Sequence, residues 1–410
     1  MADNPNTKAN VQALVPTIIS KEVEFKSQES GFRQFRQFCV VKEDFSKNPG
    51  DTLSIPKIDD LAPAQNLTEG STLRGSGKKL SVGSVTITPT EKGDEVQYTE
   101  YSKLTSQDEL QDIIVELLAR QSSKKENLDI RDVMFGAPRI RLQGAAADAI
   151  SVGKLSYSDV DFVVEELETA EAAKFGAGGN EHFVGFIHPY GRTALIDALR
   201  STSDYANAVP GLYAGEIGQY NRVRFIESAY CPFRAYLKGE VTATGLTAGA
   251  EAAELIALAD DYCASETFTI TALSATELEI AGSASGKHKV FVGAAEKDTF
   301  TLDEIKTGDV IVAGSGATAE KRKETSPLTL KAGLITAIAA KGNTLAFETQ
   351  RNILTKIMGA RHVAYGSIKP VTMLGAEAFD YGRVIGVAWN AFYDAVILND
   401  EYGWVIESKR

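Results

Sequence analysis

Thr52-Leu-Ser-Ile-Pro56, Leu67-Thr-Glu-Gly-Ser-Thr-Leu-Arg-Gly-Ser-Gly-Lys-Lys79 and Val85-Thr-Ile-Thr-Pro-Thr-Glu-Lys-Gly-Asp-Glu-Val-Gln-Tyr-Thr-Glu-Tyr101 together decide the fold. The first is a strand-like run, the second a Gly/Ser/Thr turn region, and the third a return in which apolar residues mostly alternate with polar ones. From Asp51 to Leu104 the chain is too long, polar and turn-rich to enter a single core. A two-stranded arm of this kind is marginal alone and needs a surface to lie on. We read that surface as a neighbouring copy of the same chain.

Outward from the arm, the period of the apolar residues changes from two to three or four at Thr105. Ser106 with Glu109 fits a capping box, and Leu110, Ile113, Ile114, Leu117 and Leu118 form one apolar stripe. The pattern weakens toward Met134, where Gly136-Ala-Pro138 stops it. A helix of about 25 residues spans roughly 40 Å. Its second half is polar enough to predict a largely exposed strut. Before the arm, Asn4 to Val15 is polar, and Phe32, Phe35 and Phe38 recur at helical spacing among Arg33 and Arg36. Aromatics mixed with Arg can stack bases, but this spacing is better read as one helix face in search of apolar cover.

A second helix is predicted over Ser158 to Lys174, with Gly176 as its stop. Phe183 to Ile187 reads as a buried strand leading into a helix with Pro189 at its first turn. Gly215 to Ser228 reads as a turn feeding another strand. Between Lys238 and Tyr365 the composition shifts to Ala, Gly and Thr. An Ala-rich helix is expected over Ala250 to Tyr262, followed by short strands at Thr267–Thr271, Glu277–Ile280, Lys289–Val292, Asp309–Val312, Leu334–Ile338 and Thr344–Phe347. A small closed β-barrel or sandwich inserted in an α+β core is the simplest arrangement. Beyond it, Val384–Trp389, Asp394–Leu398 and Trp404–Ile406 resume strand patterning.

Composition removes several function classes. The chain has 410 residues, is 43% hydrophobic and 24% charged, and carries a net charge of −12, which disfavours gripping a phosphate backbone. Met1-Ala-Asp-Asn-Pro-Asn-Thr-Lys8 does not read as a secretory signal, and no apolar run is long enough to span a membrane. Cys39, Cys231 and Cys263 lack paired spacing and read as free thiols.

The apparent catalytic signals fail on spacing. Gly75-Ser-Gly-Lys-Lys79 lacks the first Gly and the terminal Ser or Thr of a phosphate loop, and Gly176-Ala-Gly-Gly-Asn-Glu181 lacks the last Gly of a dinucleotide fingerprint. His182 and His188 have no third ligand at a recognisable offset, so they read as capping or core histidines rather than metal ligands. Asp159 and Asp161 suit a helix start. No catalytic, cofactor or metal residue is therefore assigned, and no enzymatic activity is expected.

In order along the chain, Phe186-Ile-His-Pro-Tyr190, Gly215-Glu-Ile-Gly218, Arg224-Phe-Ile-Glu-Ser228 and Ala395-Val-Ile-Leu-Asn-Asp400, set behind the arm and the long helix, resemble tailed-phage major capsid proteins of the coliphage N4 type. The resemblance covers roughly Phe38 to Lys238 and Gly366 to Ser408. It implies the α+β, Hong Kong 97-type capsid fold with peripheral and axial domains, an extended loop, an N-terminal arm and an inserted small β-rich domain. The domains expected are 1–50 (N-terminal arm), 51–104 (extended loop), 105–180 (peripheral domain with spine helix), 181–237 (axial domain, first part), 238–365 (inserted domain) and 366–410 (closing strands).

The function so implied is a coat protein of a virion, assembled in the host cytoplasm into pentamers and hexamers of an icosahedral shell around double-stranded DNA. The DNA is enclosed without sequence-specific binding. Implied partners are other copies of the chain, a scaffolding protein and a portal, with the need for a decoration protein left open; no cofactor and no membrane are involved. A separate scaffolding protein and no proteolytic loss of a pro-segment are expected. Contacts between copies are expected at Arg74, Lys78, Lys79, Val85 and Ile87. The alternatives are a β-rich surface adhesin and, more remotely, a metal-dependent hydrolase built on His182 and His188.

Overall fold

Alternation is most regular in the strand Val384–Ile397, where Val387, Trp389, Ala391 and Tyr393 are buried. In the computed structural model, which describes residues 34–42, 52–58, 61, 81–105, 110–176, 180–199, 216–249, 252–261, 263–293, 295–313, 327–379 and 383–409, this strand is central to a four-stranded sheet. The chain divides into two units. One takes Met1–Pro138, Ala170–Glu181 and Met358–Gly403; the other takes Arg139–Thr169, His182–Ile357 and Trp404–Arg410.

In the first unit the sheet order is Val40–Lys42, Val363–Phe379, Val384–Ile397, Thr90–Thr99. The first pairing is parallel and the other two are antiparallel. The two short strands expected at Val384–Trp389 and Asp394–Leu398 are one strand, and its partner Val363–Phe379 is longer still. Pro370 hid that partner, because proline removes a ladder donor. The strand accommodates it within the register shift at Lys369/Thr372, directly after another at Ser367/Lys369.

The long helix runs Leu110–Phe135 and lies against the sheet through the alternating buried set, with Trp389 Nε1 donating to Gln121 Oε1 at 3.2 Å. Ser106 and Glu109 fall outside the described residues. The apolar stripe is rotated from its expected place: Ile114, Val115, Leu118 and Ala119 are buried, whereas Ile113 and Leu117 are exposed. Its second half is not the exposed strut expected. Ser122, Ser123, Glu126 and Asn127 are all buried. Asn127 Oδ1 accepts from the Phe35 amide at 3.3 Å, and Ser122 Oγ donates to the Ala119 carbonyl.

Phe35 and Phe38 are core residues, edge-on to Phe135 and Phe175 respectively. Phe35 precedes and Phe38 ends a single 3-10 turn, Arg36–Phe38. Phe32 lies outside the described residues.

In the second unit Thr344–Met358 is the hub of an eleven-stranded sheet, pairing with Thr267–Ala272, Phe233–Thr244, Gly403–Lys409 and the fully buried Phe183–Ile187. The last of these runs parallel to Val223–Glu227. The strands Glu216–Tyr220 and Val223–Glu227 meet in a turn whose Asn221 and Arg222 both have positive φ, at 42° and 63°. The helix expected to reach Lys174 is Tyr157–Thr169, and Glu171 takes the left-handed conformation after it.

Within 252–261 there is no Ala-rich helix. Ile256–Leu258 is a strand paired with Leu328–Leu330 in a five-stranded sheet. Helix propensity is a weak prior, and pairing that buries Ile256 overrides it. Phe268, Ile270, Leu278, Val290, Val310 and Leu328 bring both sheets' buried side chains into one core.

Candidate assembly surface

The two strands of the arm, Leu53–Ile58 and Val82–Ile87, pair antiparallel with Leu53 opposite Ile87, Ile55 opposite Val85 and Ile58 opposite Val82. Side chains alternate across a strand, so Leu53, Ile55, Val85 and Ile87 share one face. Ile87 at the root is fully buried; Leu53, Ile55 and Val85 are half-buried. The pair Ile58 and Val82 lies on the opposite face at the far end, and these two are 63% and 61% exposed. Among the described residues the ribbon pairs with no third strand.

Of the contact residues expected from sequence, Val85 is therefore half-covered, Ile87 has its cover within its own chain, and Arg74, Lys78 and Lys79 lie outside the described residues. The structure adds four exposed large apolar side chains that were not singled out as surface from the sequence: Ile58, Val82, Ile113 and Leu117. The apolar stripe of the long helix held Ile113 and Leu117, but its period alone did not say which edge of the stripe would face out. Ile113 and Leu117, four residues apart, make an outward ridge at 43% and 57% exposure.

Two polar clusters join other elements of the first unit to the long helix. Arg36 Nη1 donates to Glu126 Oε1 at 3.0 Å and its guanidinium lies 4.8 Å over the ring of Tyr365, whose hydroxyl donates to the same oxygen at 2.6 Å. Lys92 Nζ donates to Asp129 Oδ2 at 2.7 Å and lies 4.3 Å over the ring of Tyr393, whose hydroxyl donates to that oxygen at 3.0 Å. Burial, reinforced by the neighbouring carboxylates, raises both tyrosines well above the usual phenol range. Burial also pushes the Asp129 carboxyl up, but the hydrogen bonds and charges of Lys92 and Lys125 outweigh it, and the group is held below its ordinary value. These clusters join residues far apart in sequence, so no local spacing announced them.

His182 and His188 are both buried; His188 Nδ1 accepts from the Tyr190 amide at 3.2 Å, and its ring packs on Phe233. Asp159 accepts from the Gly144 amide, and Asp161 from the Tyr220 hydroxyl and Asn221. Among the described residues no group of three His, Cys, Asp or Glu is placed to hold a metal, and no helix is long and apolar enough to cross a membrane.

This architecture is the α+β Hong Kong 97-type capsid fold. No protein-family profile and no curated sequence matches the chain. Among solved structures it is similar to the capsid of Ralstonia phage GP4, with TM-score 0.53 and 10% identity over 91% of this chain and 87% of that one. It is also similar to the capsid of Cyanophage P-SCSP1u, with TM-score 0.50 and 9% identity over 92% and 88%. The capsid asymmetric unit of Cyanophage Pam1 gives TM-score 0.50 and 12% identity over 91% and 88%. At such identities the likeness establishes a shared fold.

Proposed function

We propose that this chain is the major capsid protein of a tailed bacteriophage, allied to the coliphage N4 type, and that its role is assembly rather than turnover. The observation that carries this reading is the ribbon. In a fold shared with phage capsid chains, Ile58 and Val82 stand exposed as a cross-strand pair. An apolar pair on an open two-stranded ribbon favours a site that another copy covers.

In this reading 51–104 is the extended loop and 105–180 the peripheral domain, with Leu110–Phe135 as its spine helix, although 139–169 fall in the second unit. The second holds the axial domain and the inserted β-rich domain within 238–365. Copies associate as pentamers and hexamers of an icosahedral shell enclosing double-stranded DNA in the virion, after assembly in the host cytoplasm with separate scaffolding and portal proteins. Arg74, Lys78, Lys79 and Val85 contribute to contacts between copies. The net charge of −12 suits a wall that leaves enclosed DNA mobile. Sedimentation and electron microscopy of the purified chain test the proposal: shells, tubes or capsomers are expected, and a small monodisperse species at all concentrations overturns it.

A further inference from the structure

The long helix carries its two clamps one turn apart, at Glu126 and Asp129, and they share a plan. In each, a cation from a peripheral element meets a carboxylate of the helix and stacks on a tyrosine that donates to the same carboxylate oxygen. One cation, Arg36, belongs to the segment that leads into Val40–Lys42. The other, Lys92, belongs to Thr90–Thr99, the strand that continues the ribbon. The two tyrosines approach each other on the sheet. Their rings lie 5.9 Å apart and 30° from parallel, as diagonal neighbours in a ladder that sets Tyr365 opposite Ala395 and Ser367 opposite Tyr393.

We infer that the segment at Arg36 and the strand at Lys92 are energetically coupled through the contact of Tyr365 with Tyr393, so that loosening either clamp loosens the other element. Tyr365 cannot follow Arg36 without changing the packing of Tyr393, because both rings are buried and cores repack rather than stretch. Electrostatics runs along the same route, since the charge of Glu126 acts on Tyr393 as well as on Tyr365. Coupling is reciprocal, so a neighbouring copy that fixes the ribbon would also steady the Arg36 segment. That consequence rests on the assembly reading, whereas the coupling belongs to the single chain.

The test is hydrogen exchange followed by mass spectrometry on the unassembled full-length chain. Lys92→Ala is expected to speed exchange in 90–99 and also, about 3- to 10-fold, in 34–42, the segment of the other clamp; contacting groups usually couple at this level. Tyr393→Phe, which keeps the ring but drops the hydroxyl bond to Asp129, should move both segments less. Lys57→Ala, on the ribbon but outside the clamps, should leave 34–42 unchanged.

Faster exchange confined to 90–99 in Lys92→Ala would overturn the inference. If that variant loses protection everywhere, including 183–187, Lys92→Arg is measured instead: it keeps the charge over the ring and should restore protection in both segments together, and restoration in 90–99 alone overturns the coupling. Coupled segments in a chain that forms no particle would sink the assembly reading and leave the coupling; particles from a chain with independent clamps would do the reverse.

Discussion

Replacing the last described cross-strand pair of the ribbon, Ile58→Asp with Val82→Asp, should abolish particle formation while the single chain stays folded. The size of the effect follows from exposure. Fully burying an Ile or Val side chain stabilises by about 1.5–3 kcal/mol. With 63% and 61% of these two still open to water, roughly 60% of that, about 2–4 kcal/mol for the pair, remains to be gained at each contact. At 1.4 kcal/mol per tenfold, losing it weakens one contact roughly 30- to 700-fold, before any cost of desolvating the new carboxylates. The assay is the threshold concentration for particles, read by sedimentation and electron microscopy, beside the melting temperature of the unassembled chain. Ile58→Thr with Val82→Thr, which keeps the branching that strands favour, guards against a trivial loss of the ribbon. An unchanged threshold in either folded variant would refute the claim that the Ile58–Val82 pair seeks cover on another copy.

Three further outcomes follow from the interior. Gly93→Ala places a methyl 2.5 Å from the Trp389 carbonyl oxygen, so it should prise Thr90–Thr99 from Val384–Ile397 at a cost of about 1–3 kcal/mol, seen as faster exchange in both strands. In Asp129 and Glu266, burial is outweighed by hydrogen bonds that hold the carboxyls below their ordinary values; the stability they add is complete above the unfolded-state pKa of about 4 and is lost as pH falls through the lower folded values. Melting temperature should therefore fall below about pH 4, and less steeply in Asp129→Asn. Burial pushes the Cys39 thiol up to about 12 and Cys263 to about 11, so alkylation of the native chain at pH 8 should leave both unmodified; rapid labelling would contradict their placement.

The elements legible in the sequence were those whose register repeats locally. The period of the long helix, the punctuation by Gly136 and Pro138, and the alternation in Val384–Trp389 all follow from neighbours a few residues apart. The same rule explains the misses. Ala250 to Tyr262 carries helix-forming residues, yet Leu328–Leu330, remote in sequence, claims Ile256–Leu258 as a partner. Val363–Phe379 disguised itself with Pro370, which only a bulged ladder tolerates.

By itself, then, the sequence determined the arm, the long helix, the apolar supply of the core and the absence of familiar catalytic spacing. Tertiary structure alone decided which way that helix is turned, and so why Ile113 and Leu117 face out while Glu126 and Asn127 are buried. It also decided that Arg36, Lys92, Tyr365 and Tyr393 meet around two carboxylates. The reason is physical. A periodic pattern fixes a face to within a few tens of degrees, but a buried charge is tolerable only where remote partners converge on it, and that convergence is written in no local stretch of the chain.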